Sequence, residues 1–246
     1  MLATAHRPWP LPQRAWALTM DWEDLLFLHW PVAASLLQPH LPAGLEVDTF
    51  DGSAWLGVVP FRMARTRFRW LPPVPTTHSF PELNVRTYVR AKDRPGVWFF
   101  SLDAASRLAV AGARAGFGLP YFRARMRCER TADVVHYESE RRDPRAPVAS
   151  FRASWNSSRA TAPAVPGTLE HFLVERYCLF ALRAGRLMRG DVAHAPWQLA
   201  KADVQLETCD MTRLLGCTLD GAPVSALAAA PMAVAGFWPE VSPRPS

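Results

Sequence analysis

The regular spacing of short apolar stretches between turn sequences is the feature that most constrains this chain. Asp51-Gly52, a strong hairpin signal, separates stretches at 45–50 and 54–61. The turn at 92–96 separates Phe80–Arg90 from Val97–Leu102 in the same way. Further strands are predicted at 22–30, 121–130, 134–141, 148–155, 178–183, 186–193, 201–208 and 231–238. So many strands, mostly linked by hairpins, predict one large antiparallel sheet or barrel.

A few helices are predicted between these strands, at 33–38, at about 106–116 and at about 168–177. The second begins after Asp103 or Ser106, because either side chain can accept a hydrogen bond from a free helical N–H group. Gly118 ends it. Thr168 caps the third helix. The expected fold class is therefore α+β, with a large, mostly antiparallel sheet and a few flanking helices.

The length and composition predict one domain. The chain has 246 residues, 49 % of them hydrophobic, which is enough to bury a sizeable core. Residues 1–14 contain three prolines and are expected to form a flexible arm before a single domain at 15–240. No apolar stretch resembles a signal peptide, and the run Ala222–Trp238 is too short and too broken by proline to span a membrane. We expect a cytoplasmic protein, and the sequence leaves open whether it forms a homo-oligomer.

The cysteines and histidines give no pattern of a metal or redox site. The four cysteines include no C-x-x-C pair, so we expect buried free thiols. His29, His171 and His194 show neither H-x-H nor H-E-x-x-H spacing. We therefore predict no metal and no cofactor.

Arginine dominates the charge of the chain, whose net charge is +6. Two alternating triplets place basic side chains on one face of a strand: Arg65, Arg67 and Arg69, and Arg123, Arg125 and Arg127. Such faces can bind phosphates, but they are also typical of a solvated sheet exterior. No stacking platform of the kind found in RNA-binding domains stands beside them, so the sequence disfavours a nucleic-acid partner.

One strand carries a row of polar side chains. Alternation places Glu82, Asn84, Arg86 and Tyr88 on one face and apolar neighbours on the other. An acid, an amide, a guanidinium and a phenol in one row can bind a carboxylate or polarise a carbonyl and move a proton. A pocket would raise the pKa of Glu82 by desolvation, whereas the charge of Arg86 would oppose this rise. Periodicity alone favours a solvent-facing row, so the face that lines a pocket stays open.

Several segments, in this order along residues 20–200, resemble the YqjF-like family of unknown function. They are His29-Trp30-Pro31, Leu41–Asp48, Phe80–Val89, Gly96–Ala104, Gly118–Tyr121, Leu169–Phe172, Glu175–Tyr177 and His194–Trp197. The family resembles acetoacetate decarboxylase, and this implies a curved, cone-like β-barrel around an interior pocket. Such an interior is the natural place for a small ligand.

The resemblance to acetoacetate decarboxylase extends to three places. Leu41–Asp48 resembles its Val-Pro-x-x-Leu-Glu-Ile-Asp segment, and Phe80-Pro81-Glu82 resembles its aromatic-x-Glu, whose glutamate lines the pocket. The third place runs from Leu102-Asp103 through the next helix to Gly118–Tyr121, and there the Schiff-base lysine falls on Tyr121 and a second lysine on Phe122.

The missing lysine decides the chemistry that the resemblance allows. An imine needs an amine nucleophile, and in acetoacetate decarboxylase a neighbouring cationic group activates the lysine that supplies it. The two remaining lysines, Lys92 at a hairpin tip and Lys201 in a late strand, lie far from the matching motif in sequence. We therefore do not expect an acetoacetate decarboxylase.

Three functions stay open. The first is a lyase, hydratase or isomerase for a small oxo-acid or related carbonyl compound, without imine or metal. Glu82 would then be the general acid or base, and Tyr121 would polarise the carbonyl. Arg86, Asn84, Tyr88 and Glu175 would bind the substrate, although Glu175 also fits a structural ion pair at a helix end. The second function is non-catalytic binding of a small organic acid, and the third is nucleic-acid binding.

Overall fold

The computed structural model describes residues 4–72, 74, 76–158 and 160–242. Over these residues the chain forms sixteen strands with mostly antiparallel pairing. The strands are β1 (Trp16–Glu23), β2 (Leu25–Val32), β3 (Glu46–Val47), β4 (Ala54–Phe68), β5 (Phe80–Ala91), β6 (Arg94–Ala104), β7 (Tyr121–Thr131), β8 (Val134–Arg141), β9 (Ser150–Ser157), β10 (Ala162–Pro163), β11 (Cys178–Arg183), β12 (Arg186–Ala193), β13 (Gln198–Cys209), β14 (Ser225–Ala229), β15 (Met232–Phe237) and β16 (Glu240–Val241).

Three short α-helices flank the strands: α1 (Ala34–Leu37), α2 (Arg107–Phe117) and α3 (Leu169–Val174). Two 3-10 helices lie at Gln38–His40 and Met211–Leu215. Ser106 is the cap of α2, since its hydroxyl accepts a hydrogen bond from the Ala109 N–H at 3.2 Å. Gly118 ends the same helix with φ of 70°. Within the described ranges, no helix combines the length and the apolar character that crossing a bilayer requires.

The strands close into two circuits that share one wall. The first circuit runs β1–β15–β12–β11–β6–β5–β4 and returns to β1. The second runs β6–β7–β8–β9–β13–β14–β2–β4–β5 and returns to β6. Strand β4 can serve both because its 15 residues pair with β2 at one end and with β1 at the other. The predicted large, mostly antiparallel sheet that curves into a barrel is confirmed.

The shared wall separates two hydrophobic cores. On β4 and β5, alternate residues such as Val59, Phe61 and Phe80 contribute to the core of the first circuit. Their neighbours, such as Val58 and Val85, contribute to the core of the second. Successive side chains of a strand point to opposite faces. One face of this wall therefore packs in the first circuit and the other face packs in the second.

A buried ion pair and aromatic side chains fill the second circuit. Arg141 is fully buried, with its Nε 2.9 Å from an oxygen of Asp103 and its Nη2 2.9 Å from the hydroxyl of Ser101. Tyr137 and Phe151 pack nearby within the same core. Burial raises the pKa of Asp103 to about 6, although Arg141 opposes this rise. Asp103 is therefore an ion-pair partner in β6 and not the cap of α2.

Some predicted elements differ from those observed. The single strand predicted at 22–30 is two strands, because Asp24 between β1 and β2 adopts a φ of 50°. Asp51-Gly52 forms a turn, but only an isolated bridge joins Phe50 to Ser53. Strand β3 pairs with β5 instead of β4, so the expected hairpin is a local turn. Helix α3 ends at Val174, before the predicted end at residue 177.

The segment predicted to be a flexible arm, residues 1–14, contacts the barrel over the part that the structure describes. Arg7 is 8 % exposed, and its Nη1 donates a hydrogen bond of 2.6 Å to the Val192 carbonyl. Its guanidinium also lies 4.7 Å from the ring centre of Tyr177. Arg14 bonds to Asp191 at 2.9 Å. Arg7 and Arg14 therefore both contact β12.

Candidate functional site

The first circuit encloses a cavity of ≈180 Å³. Most of its lining is apolar, contributed by β1, β4, β6, α2 and β15. The polar side chains of the lining come from β5 and from other strands and loops: Glu82, Asn84, Arg86, Thr66, Thr77, Tyr121, Arg176, Asp191 and His194. A largely apolar cavity with a few converging polar groups is the usual form of a small-molecule site.

The polar row of β5 faces the first circuit. Glu82, Asn84 and Arg86 line the cavity. Tyr88 belongs to the hydrophobic core of the same circuit and is fully buried. The alternate residues Leu83 and Val85 lie in the core of the second circuit. The polar face of β5 therefore lines the cavity, and its apolar face packs in the second circuit.

Glu82 and Tyr121 form a buried pair. The Tyr121 hydroxyl donates a hydrogen bond of 2.9 Å to Oε2 of Glu82, and the side chains come from different strands, β5 and β7. Burial raises the pKa of Glu82 to about 8, with a smaller rise from the charge of Asp103, whereas the Tyr121 hydrogen bond lowers it. Burial and the nearby carboxyl raise the pKa of Tyr121 well above its ordinary value. A carboxyl poised near neutral pH beside a phenol can exchange protons with a bound molecule.

Backbone contacts hold this pair in position. From the second circuit, the Tyr137 hydroxyl lies 2.7 Å from the carbonyl oxygen of Glu82, so it fixes β5 from behind. Arg114 Nε donates a hydrogen bond of 2.7 Å to the Tyr121 carbonyl, and Arg145 Nη2 donates one of 3.1 Å. Asp143 binds both arginines. The Glu82 and Tyr121 side chains are thus supported by groups that do not line the cavity.

Arg86 carries a positive charge without an acidic partner among the described residues. Its Nη2 donates hydrogen bonds to the Leu173 carbonyl at 3.1 Å and to the Tyr88 hydroxyl at 3.3 Å. Its guanidinium lies 5.1 Å from the ring centre of Phe27. Nε is buried and has no hydrogen-bond partner in the described part of the chain. The Arg86 side chain is half-buried, and a cation partly removed from water is stabilised by an anionic partner, so this guanidinium is suited to an anionic ligand.

His29 completes a buried chain with Tyr88 and Arg86. Arg86 donates to the Tyr88 hydroxyl, which lies 2.6 Å from Nε2 of His29. Nδ1 of the same imidazole is buried without a partner among the described residues. Burial and the charge of Arg86 lower the pKa of His29 well below its ordinary value. The imidazole is neutral and helps to hold Arg86 in place.

Asn84 lies between Glu82 and Arg86 in the row. It is 5 % exposed, and its Oδ1 is buried without a hydrogen-bond partner among the described residues. An unsatisfied buried acceptor costs about 1–3 kcal/mol. A ligand that brings a donor, or a water, would remove this cost.

Two expectations about charge differ from the structure. The group that lowers the pKa of Glu82 is the Tyr121 hydrogen bond and not, as expected, the charge of Arg86. The charge of Arg86 instead lowers the pKa of His29. Glu175, predicted to bind substrate, does not line the cavity. Its carboxylate accepts hydrogen bonds from the Trp197 N–H at 2.9 Å and from the Tyr177 hydroxyl. These bonds give Glu175 a structural role at the end of α3.

The sequence reasoning missed Arg176 and its partner. Arg176 lines the cavity, and its Nη1 bonds to Asp48 at 2.7 Å. Its guanidinium stacks 4.1 Å from the ring centre of Phe172. Unlike Arg86, it already has a counter-ion. The resemblance segments contained both residues of this pair, but nothing in their spacing indicated the contact.

Some arginines of the two basic faces lie beside acids on neighbouring strands. Arg127 stands opposite Glu138 on β8, which stands opposite Arg152 on β9. Arg65 bonds to Asp21 and, at 3.0 Å, to Glu23. Alternating charges of this kind fit a solvated sheet exterior rather than a phosphate-binding surface.

Sequence comparisons assign the chain to a family. Residues 19–233 match DUF2071, described as an uncharacterized conserved protein. The chain is also 41 % identical, over 209 residues, to the uncharacterized protein YqjF of Bacillus subtilis (strain 168), covering 85 % of this chain and 86 % of that protein. The chain belongs to the DUF2071 family. The resemblance inferred from the sequence segments is thereby confirmed.

Solved structures show the same fold. An acetoacetate decarboxylase-like enzyme from Sphingomonas wittichii RW1 matches with a TM-score of 0.62 at 17 % identity, over 97 % of this chain and 98 % of that one. Acetoacetate decarboxylase from Legionella pneumophila (strain Philadelphia 1) gives 0.60 at 14 % identity, over 96 % and 93 %. The enduracididine biosynthesis enzyme MppR complexed with pyruvate gives 0.62 at 13 % identity, over 94 % and 91 %. These likenesses establish an acetoacetate decarboxylase-like fold.

Among the described residues, no lysine lines the cavity. Tyr121, on which the Schiff-base lysine falls in the sequence resemblance, lines it with a phenol, and Phe122 lies 5.0 Å from the guanidinium of Arg141. Lys92 and Lys201, both in the described part of the chain, do not line the cavity. The β5 row and Tyr121 therefore present a carboxyl, an amide, a guanidinium and a phenol to the cavity.

Proposed function

We propose that this protein binds an organic acid that carries a carbonyl group and moves a proton on the bound molecule, as a lyase, hydratase or isomerase does. The observation that carries the proposal is the buried Glu82–Tyr121 pair in the cavity that also contains Arg86, a cation with no acidic partner among the described residues. Proton transfer by a positioned side chain contributes typically about 10²–10⁴-fold to a rate. The pyruvate bound to MppR supports a ligand that is both a carboxylate and a carbonyl compound.

The residues take complementary roles in this reaction. Arg86 binds the carboxylate, and the Tyr121 hydroxyl exchanges its hydrogen bond to Glu82 for one to the carbonyl oxygen of the ligand. The Glu82 carboxylate then accepts a proton from the carbon next to that carbonyl. The C–H electron pair forms a carbon–carbon double bond, and the carbonyl electron pair moves to the oxygen as an enolate, which the Tyr121 hydroxyl stabilises. Return of the proton to another carbon, or departure of a β-leaving group, completes the turnover.

The pKa of Glu82 sets the pH at which this reaction proceeds. With a pKa of about 8, the carboxyl is largely protonated at pH 6 and ionised above pH 8. The rate of proton removal is therefore expected to rise about tenfold for each pH unit below 8 and to level off above it. The pKa of Tyr121 lies well above 10, so its hydroxyl keeps its proton throughout this range.

The proposal is tested by deuterium exchange. Oxo-acids and acetyl-substituted acids are incubated with the protein in D₂O at pD 8, and proton NMR follows loss of the hydrogens next to the carbonyl. We expect exchange with the wild type and at least a 100-fold slower exchange with Glu82→Gln. The matched control is Glu170→Gln, on an exposed residue of α3, and it should exchange at the wild-type rate. Full exchange by both Glu82→Gln and Tyr121→Phe would refute the mechanism.

Binding without catalysis is the second candidate function. The observation that favours it is the phenol at Tyr121, since a decarboxylase-like barrel without its amine keeps a cavity for acids and loses the imine. This second function predicts that an acid saturates the wild type and that its binding depends on Arg86. The bound acid undergoes no exchange in D₂O and is recovered unchanged. Turnover of any such acid would refute it in favour of the enzyme.

A further inference from the structure

The anion-binding group and the proton-transfer group stand well apart along β5. Glu82 and Arg86 are separated by four residues, which is about 13 Å between Cα atoms in an extended strand. The Nη2 of Arg86 bonds to the Tyr88 hydroxyl and the Leu173 carbonyl, whereas Glu82 bonds to the Tyr121 hydroxyl, so the two groups share no hydrogen-bond partner. A three-carbon acid, whose carboxylate and carbonyl are adjacent, is too short to reach both groups.

A wall of aromatic rings connects the two ends. Phe27 lies 5.1 Å below the guanidinium of Arg86 and meets Trp197 edge to face, with ring centres 5.1 Å apart. Trp197 stacks on Trp22 at 5.6 Å with only 9° between the planes, and Trp22 meets Phe61 at 5.7 Å. All four rings line the cavity.

The far end of this wall reaches the proton-transfer pair. Phe61 is the direct partner of Glu82 in the β4–β5 register. Nε1 of Trp22 is buried without a hydrogen-bond partner among the described residues, so it can donate to a ligand. The cavity volume of ≈180 Å³ is large enough for a ligand with one aromatic ring, since an apolar cavity of about 150 Å³ accommodates benzene.

We propose that the ligand is an elongated aromatic acid, an inference that rests on the proposed function and names its substrate class. The carboxylate lies at Arg86 and Asn84. The flat apolar body lies along the four-ring wall formed by Phe27, Trp197, Trp22 and Phe61, and the carbonyl group lies at the opposite end of that body, beside Glu82. Aromatic rings favour offset or edge-to-face contacts with one another, so the wall selects a flat ligand over a saturated one of equal size.

Isothermal titration calorimetry with four probes tests this assignment. The probe 4-acetylbenzoate has a carboxylate and a carbonyl at opposite ends of a ring. Pyruvate has both groups adjacent, acetophenone lacks the carboxylate, and trans-4-acetylcyclohexanecarboxylate replaces the flat ring by a saturated one. We expect the Kd of 4-acetylbenzoate to be at least tenfold lower than that of each of the other three. An equal or lower Kd for the saturated acid would overturn the flat wall, and an equal or lower Kd for pyruvate would overturn the elongated ligand.

Two variants separate this inference from the proposed function. Trp197→Leu should reduce the preference for 4-acetylbenzoate over pyruvate at least fivefold, and an unchanged preference in a folded variant would overturn the role of the wall. Arg86→Ala should weaken both acids at least tenfold. If pyruvate binds in an Arg86-dependent way and 4-acetylbenzoate binds no better, the elongated ligand is wrong and the proposed function stands. If both acids bind wild type and Arg86→Ala equally, or bind neither, both proposals are wrong.

Discussion

Replacing Glu82 by glutamine removes a buried carboxyl whose pKa burial raises from 4.5 to about 8. Because the folded chain holds this proton more tightly than the unfolded chain, the contribution of Glu82 to stability is complete below pH 4.5. It is lost as the pH rises to 8. The difference between about 8 and 4.5 corresponds to about 5 kcal/mol of unfolding free energy. Glutamine does not ionise, so the stability of Glu82→Gln relative to wild type should increase by on the order of that amount between pH 4.5 and pH 8.

Urea unfolding at pH 5, 6, 7, 8 and 9 measures this difference. Between pH 5 and 8 the free energy of unfolding of the variant minus that of wild type should rise by up to about 1.4 kcal/mol per pH unit and then level off. Asp103, whose pKa burial raises to about 6, titrates in both proteins, so the subtraction removes most of its contribution. Glu170→Gln should show no trend. A difference for Glu82→Gln that stays constant from pH 5 to 9 would show that Glu82 has an ordinary pKa and would refute the reasoning.

Substitutions at three further positions test the supports of the site, each by urea unfolding at pH 7. Asp103→Asn leaves the fully buried Arg141 without its counter-ion and should cost about 3–5 kcal/mol; a loss under 1 kcal/mol would contradict a buried pair. Ser106→Ala removes the cap of α2 and should cost about 0.5–2 kcal/mol, whereas Ser106→Thr should cost less. Gly118→Ala adds a Cβ 2.6 Å from the Leu182 carbonyl at a φ of +70° and should cost more than about 1 kcal/mol; an unchanged stability would refute this backbone conformation.

The polar row of β5 shows how far sequence patterns reached. Alternation correctly placed Glu82, Asn84 and Arg86 on one face, because successive side chains of a strand must point apart. Alternation alone does not tell which of the two faces lines the cavity. The polar face lines it because the second circuit covers the other face. That circuit closes through pairings between strands distant in the chain, such as β14 with β2. Only the family resemblance, through Glu82, pointed to the right face.

The residues that were missed depend on the same distant pairings. The prediction missed β1 as a separate strand. The last residues of β1 and the apolar run of β2 form one continuous stretch in the sequence, and the turn at Asp24 divides it. Trp197 and Trp22 lie far apart in sequence and stack only when the first circuit closes. The Asp51-Gly52 turn was predicted correctly from local geometry, but its flanking strands found other partners, since turn residues do not determine sheet order.

Native mass spectrometry tests most directly the central claim that the cavity binds an organic acid through Arg86. Wild type, Arg86→Ala and the exposed control Arg186→Ala are each mixed with equimolar 4-acetylbenzoate and its uncharged amide. We predict one bound acid per chain in wild type and in Arg186→Ala, and none in Arg86→Ala. An acid that remains bound to Arg86→Ala, or a wild type that takes up the amide as readily as the acid, would contradict the account.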